Sequence, residues 1–190
     1  MSDPARLRPW VQATWLGWLL GIPCIIGLAL LGEVLGNGAL QVLVGAGMGL
    51  GVGAVQAWRC RALVGAAGPW VVVTTGCLAL PFLVTDVARV VDHPLPYALP
   101  VLVAIGGLLT GAGQAWILGR RYRSVLAWVP ASAVGWSLAA ATSLVTDMRY
   151  RDVLPRGVPG LALILVVLGS GGVLLGVATG LPLSRFQRVE

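Results

Sequence analysis

The stretch GLGVGAVQAW, Gly49 to Trp58, is written again as GLLTGAGQAW, Gly107 to Trp116, 58 positions further on. In each copy two glycines and a glutamine stand at i, i+4 and i+7: Gly49, Gly53 and Gln56, then Gly107, Gly111 and Gln114. On a helix that spacing puts all three on one face. Paired glycines admit a neighbouring helix at close range, and an amide on the same face finds its hydrogen bonds in that neighbour. The ten residues therefore read as a helix-packing seam that the chain uses twice.

The likeness extends outward from the seam. Trp58 is followed by Trp70 and Trp116 by Trp128, each twelve residues later, with an arginine-bearing loop in the gap. The next helices close on Leu83-Val84-Thr85-Asp86 and Leu144-Val145-Thr146-Asp147. A third copy is split between the chain's ends. GVLLGVATGL keeps the glycine pair as Gly172 and Gly176, with Thr179 in the glutamine's place, and WVQATWLGW from Trp10 matches WVPASAVGW from Trp128. The chain thus reads as one integral membrane domain, residues 1–190, made of two-helix repeats 38–91, 97–150 and 158–190, the last completed by 1–33. Copies that each contain two helices share one orientation. The expected symmetry is a pseudo-threefold axis along the membrane normal.

Composition agrees with a membrane setting. Of 190 residues, 57% are hydrophobic and 11% charged, and mean hydropathy is +0.89, where soluble domains carry roughly 25% charged residues. A bilayer core takes about 20 apolar residues per helix. Six runs meet that need, at 10–31, 38–58, 69–88, 97–118, 126–146 and 158–183, the third and fifth being the least apolar. The expected fold is all-α, a six-helix transmembrane bundle. Trp10 to Leu31 reads as a retained helix rather than a signal peptide, because no small-residue cleavage site follows the charged start.

All 13 basic residues are arginine. Nine of them (Arg6, Arg8, Arg59, Arg61, Arg120, Arg121, Arg123, Arg185 and Arg188) fall on the side of the termini, and four (Arg89, Arg149, Arg151 and Arg156) on the other. This bias places both termini in the cytoplasm of a bacterial inner membrane. The net charge of +6, which in a soluble protein would suggest nucleic acid, is explained here as loop anchoring. Trp58 lies nine residues past Gly49 and points away from the seam. With Trp10, Trp70, Trp116 and Trp128 it reads as a cytoplasmic aromatic belt of interface anchors.

The combination G-x-x-x-G-x-x-Q-A-W, an arginine loop, W-V-x-A-x-x-x-G-W and a terminal G-x-x-x-G helix resembles a group of small polytopic bacterial membrane proteins of unassigned function. The resemblance implies architecture and transfers no activity or site residue.

Residues able to carry chemistry are few. His93 is the one histidine, in DHPLPY, and with Asp92 it makes an incomplete metal site. The three cysteines, Cys24, Cys60 and Cys77, form neither a disulfide framework nor a metal motif. No catalytic triad, paired carboxylate or phosphate loop is written in the chain, so no enzyme activity is expected. Asp86 and Asp147, with Glu33 as a looser third, could ring the mouth of the axis and attract cations; solvated helix ends are the plainer reading. Gln56 and Gln114 could line a vestibule, against interhelical hydrogen bonding. The cluster Arg120-Arg121-Tyr122-Arg123 could hold anionic lipid, although topology already accounts for it. Trp15, Trp18 and Trp136 sit deeper than the belt. No cofactor is required; a lipid, quinone or carotenoid could bind there, but packing against the glycine-rich helix faces is the plainer reading. The expectation is a non-catalytic structural or accessory subunit that packs against membrane lipids, pigments or other membrane proteins. The alternative is a small transporter or channel that uses the axis.

Overall fold

The computed structural model describes residues 4–36, 40–95, 98–145 and 157–189. The architecture is all-α. In chain order the helices are α1 (Pro4–Val34), α2 (Val42–Arg59), the single turn α3 (Arg61–Val64), α4 (Ala67–Val90), α5 (Leu99–Leu118), α6 (Trp128–Val145) and α7 (Val158–Gly180). A two-residue antiparallel ribbon joins β1 (Tyr122–Arg123) to β2 (Gln187–Arg188) at one end.

The long helices pack as neighbours in the order α1, α2, α4, α5, α6, α7, and α7 packs back on α1. Contact between the ends of the chain is thus made by helix α1 against α7. One end of the bundle gathers the starts of α1, α4 and α6 with the finishes of α2, α5 and α7, and it carries Arg8, Arg59, Arg61, Arg120, Arg121, Arg123, Arg185 and Arg188. The described carboxylates Glu33, Asp86 and Asp92 lie at the opposite end. Asp147, Arg149, Arg151, Asp152 and Arg156 fall outside the described residues.

Five helices are long and apolar enough to cross a membrane: α1, α4, α5, α6 and α7, the last with its following turn. The third and fifth apolar runs, the weakest by sequence, are among them as α4 and α6. The helix that falls short is α2. Glycine occupies positions 45, 47, 49, 51 and 53, and a hydrogen in place of a side chain adds almost no hydropathy. In water such a run would be a poor helix, each glycine costing up to about 1 kcal/mol relative to alanine. Where water is absent the backbone must satisfy its own hydrogen bonds, and the helix is then the favoured state.

Those glycines set how closely α2 is held. A Cβ at Gly45 would lie 2.7 Å from Ala79 Cα, and one at Gly49 2.7 Å from Thr75 Cα, both on α4. A Cβ at Gly47 would lie 2.6 Å from the Ile25 backbone nitrogen of α1, and one at Gly51 would run into the Gly21 backbone of the same helix. One face of α2 therefore abuts the α4 backbone and another the α1 backbone. Large apolar side chains such as Leu30, Val72, Val101 and Val166 are exposed around the outside, as expected of helices whose surroundings are hydrocarbon.

Candidate functional site: a hydrogen-bonded tryptophan cluster

At the arginine end three tryptophans from three helices meet inside the bundle. Trp10 (α1), Trp70 (α4) and Trp128 (α6) are exposed by only 1%, 0% and 0%. Their ring centroids are separated by 6.2 Å (Trp10 to Trp70), 5.2 Å (Trp10 to Trp128) and 6.4 Å (Trp70 to Trp128), all in edge-on geometry, the arrangement that aromatic quadrupoles favour. These three were expected in the interface belt. The structure corrects that: they form the core, and of the five anchors only Trp58 and Trp116 are outward, at 76% and 63% exposure. The reason is helix phase. Trp58 and Trp116 end helices whose seam faces the other way, whereas Trp10, Trp70 and Trp128 lie on the inward face of the partner helices.

Each buried indole N–H must find an acceptor. Trp70 Nε1 donates to Gln56 Oε1 at 3.1 Å, Trp128 Nε1 to Gln114 Oε1 at 2.9 Å, and Trp10 Nε1 to Thr179 Oγ1 at 2.9 Å. The glutamine amides then reach onward to the next helix: Gln56 Nε2 donates to Thr14 Oγ1 and Gln114 Nε2 to Thr74 Oγ1, both at 2.9 Å. Gln56 thus links α4 to α1 through α2, and Gln114 links α6 to α4 through α5. Thr179 is too short to make the equivalent reach. The hydroxyl of Ser132, which stands where Thr14 and Thr74 stand in their helices, instead donates to Gly107 O at 2.9 Å.

The seam glycines sit directly beneath this belt. A Cβ at Gly53 would lie 3.0 Å from Thr74 Cβ, one at Gly111 2.7 Å from Ser132 Cβ, and one at Gly176 3.3 Å from Thr14 Cβ. One level further in, a Cβ at Gly107 would lie 2.6 Å from Trp136 Cβ and one at Gly172 2.7 Å from Trp18 Cβ. Sequence reading did not single out Thr14, Thr74 and Ser132, although the signal is present: each stands four residues after its tryptophan, in WVQAT, WVVVT and WVPAS.

Below the belt the centre of the bundle is filled by apolar side chains. Trp18, Val52, Leu78, Trp136 and Leu175 form a second buried cluster, with Trp18 and Trp136 6.1 Å apart and Trp18 Nε1 donating to Leu168 O at 2.7 Å. Trp15 is partly outward. Thr110 Oγ1 is buried there without a partner. Beyond this layer an apolar cavity of about 100 Å³ runs toward the carboxylate end, lined by Trp18, Trp136, Leu78, Phe82, Val103 and Ser143 among others.

The remaining candidates fall elsewhere. Asp86 is neither a free ring carboxylate nor a solvated helix end. It is buried and accepts the backbone N–H of Gln41 at 3.0 Å and of Val42 at 2.7 Å, tying the start of α2 to α4. His93 is exposed, with Nδ1 2.7 Å from Val91 O. Among the described residues no three His, Cys, Asp or Glu side chains converge on a possible metal. Cys60, just beyond α2, has its thiol pushed up to about 11 by burial, which outweighs the lowering effect of Arg59; it is a poor nucleophile at neutral pH.

Long apolar helices with exposed apolar flanks and a polar belt satisfied internally define a multi-pass integral membrane protein. No family model, curated protein or solved structure matches the chain.

Proposed function

We propose that this chain is a non-catalytic structural or accessory subunit of a bacterial inner membrane, with six membrane helices, α2 included, and both termini in the cytoplasm. Its hairpins α2/α4, α5/α6 and α7/α1 are then copies of one repeat around a pseudo-threefold axis. The recurrence of one packing contact, a seam glycine against the Cβ of a threonine or serine, with Gly53 on Thr74, Gly111 on Ser132 and Gly176 on Thr14, supports that reading. So does the excess of arginine at the end holding the termini.

The observation that carries the functional reading is the filled axis. Three edge-to-face indoles and their hydrogen bonds occupy it at the arginine end, and a second tryptophan layer lies below. A transport path along the axis would have to displace buried, hydrogen-bonded tryptophans, and among the described residues no ionisable side chain lines it at membrane depth, where coupled transport ordinarily keeps one. The surface offered to partners is instead the outer one, with exposed Trp15, Trp58 and Trp116.

Purification from native membranes in mild detergent, with mass spectrometry of proteins and small molecules and an absorbance spectrum, tests this. A stoichiometric membrane-protein partner is the expected result. A lone chain carrying one enriched substrate-like molecule would overturn the accessory role in favour of binding or transport.

A further inference from the structure

The arginine end holds more than topology demands. Arg59, Arg120, Arg121 and Arg188 come from three separate stretches of chain, yet they line two adjoining grooves of about 220 and 280 Å³ that share Tyr122 and Arg188 as a common wall. Each has its own positioning device. Arg120 Cζ lies 4.0 Å from the Trp116 ring centroid and Arg59 Cζ 5.8 Å from that of Trp58. Arg188 is set in the ribbon opposite Tyr122. The Arg121 guanidinium lies against Gly65, a residue at φ +78°, where an added Cβ would be 2.5 Å from Cζ. No carboxylate of the described residues lies at this end. Like charges gathered this way repel one another unless an anion joins them.

We propose that these grooves bind the phosphate of an anionic phospholipid, with guanidinium groups of Arg59, Arg120, Arg121 and Arg188 as its donors. Guanidinium forks suit phosphate oxygens geometrically as well as electrostatically. The depth identifies the source. Trp58 and Trp116 are exposed indoles at a helix end, the level at which such rings meet lipid head groups, and two of the four arginines lie over those very rings. The inference rests on the membrane reading and is independent of the accessory role: a chain without protein partners would bind the lipid equally well.

The test counts lipids bound to the purified protein by native mass spectrometry during titration with short-chain phosphatidylglycerol and, separately, phosphatidylcholine. Phosphatidylglycerol is expected to bind saturably and more tightly. R121Q/R188Q is expected to lose about fivefold for each arginine removed, whereas R8Q/R123Q, with the same change in charge at the same end, retains the affinity. Gly65→Ala, which displaces Arg121 with no change of charge and strains the turn at its positive φ, is expected to weaken binding with at most a small drop in the melting temperature of the helical core. Equal binding of the two lipids, or an equal loss in R8Q/R123Q, would overturn the proposal in favour of a diffuse surface field. Displacement of bound phosphatidylglycerol by millimolar inorganic phosphate would overturn the lipid assignment in favour of a small free anion.

Discussion

The two ends of this bundle are closed by different physics. At the arginine end, side chains from six helices meet in a belt of indoles, amides and hydroxyls, and every indole N–H there has a partner. At the carboxylate end Asp86 ties α2 to α4, and between the helices lies an apolar cavity lined from α1, α2, α4, α5 and α6. In hydrocarbon no hydrophobic force draws helix to helix, so close packing and interhelical hydrogen bonds must specify the arrangement. The belt does this at one level from α7 through α1, α2, α4 and α5 to α6, and among the described residues only the α6–α7 link is missing from it. The opposite end is left to follow.

If that contrast is right, the largest loss comes from breaking the belt at a glutamine. Gln114→Leu leaves the Trp128 indole unpaired and cuts the link to Thr74, and it should cost about 2–3 kcal/mol, read as a lower thermal midpoint in detergent by tryptophan fluorescence. A cost no greater than that of an outward substitution would mean the belt is ornamental. Next comes Asp86→Ala at the other end. It removes the acceptor for two N–H groups at the start of α2 and should cost about 1–2 kcal/mol, with faster amide exchange confined to the first turn of α2. Exchange that accelerates through the tryptophan cluster as well would show that the ends are not independent.

Thr179→Val sharpens the comparison within the belt. The valine keeps the shape and removes one acceptor, so the loss should be about 1 kcal/mol, below that of Gln114→Leu because no onward link is broken. Equal losses would show that reach to the next helix contributes nothing. The smallest effect is expected at Thr110, whose hydroxyl is buried without a partner. Thr110→Val should leave the midpoint unchanged or raise it, and a clear drop would reveal a hydrogen bond to that hydroxyl in solution.

Much of this was legible in the letters. The seam glycines and glutamines stand at helical spacing, so their common face follows from 3.6 residues per turn whatever surrounds them. The helices themselves followed from apolar length, α2 least clearly because glycine contributes to packing without contributing to hydropathy. The tryptophans were harder. Trp58 and Trp70 stand twelve residues apart across a loop, and no periodicity carries phase through a turn. Hence Trp70, with Trp10 and Trp128, could be assigned to a lipid-facing belt when it belongs to the core. Asp86 was misread for a related reason. Its partners are the backbone N–H groups of Gln41 and Val42, more than 40 residues away, and backbone donors leave no mark in a sequence pattern.

By itself the sequence determined an all-helical membrane chain, the repeat of its packing seam, and which end would carry arginine, because these depend on composition, period and local spacing. Tertiary structure alone decided which indoles are buried, that the onward relay stops at Thr179 without reaching Ser132, and that four arginines from distant stretches border two adjoining grooves. Those outcomes depend on the relative rotation of helices about their axes. That rotation is set by how closely backbones approach at Gly47, Gly49 and Gly51 and by hydrogen bonds made from helix to helix, and both exist only once the helices have packed.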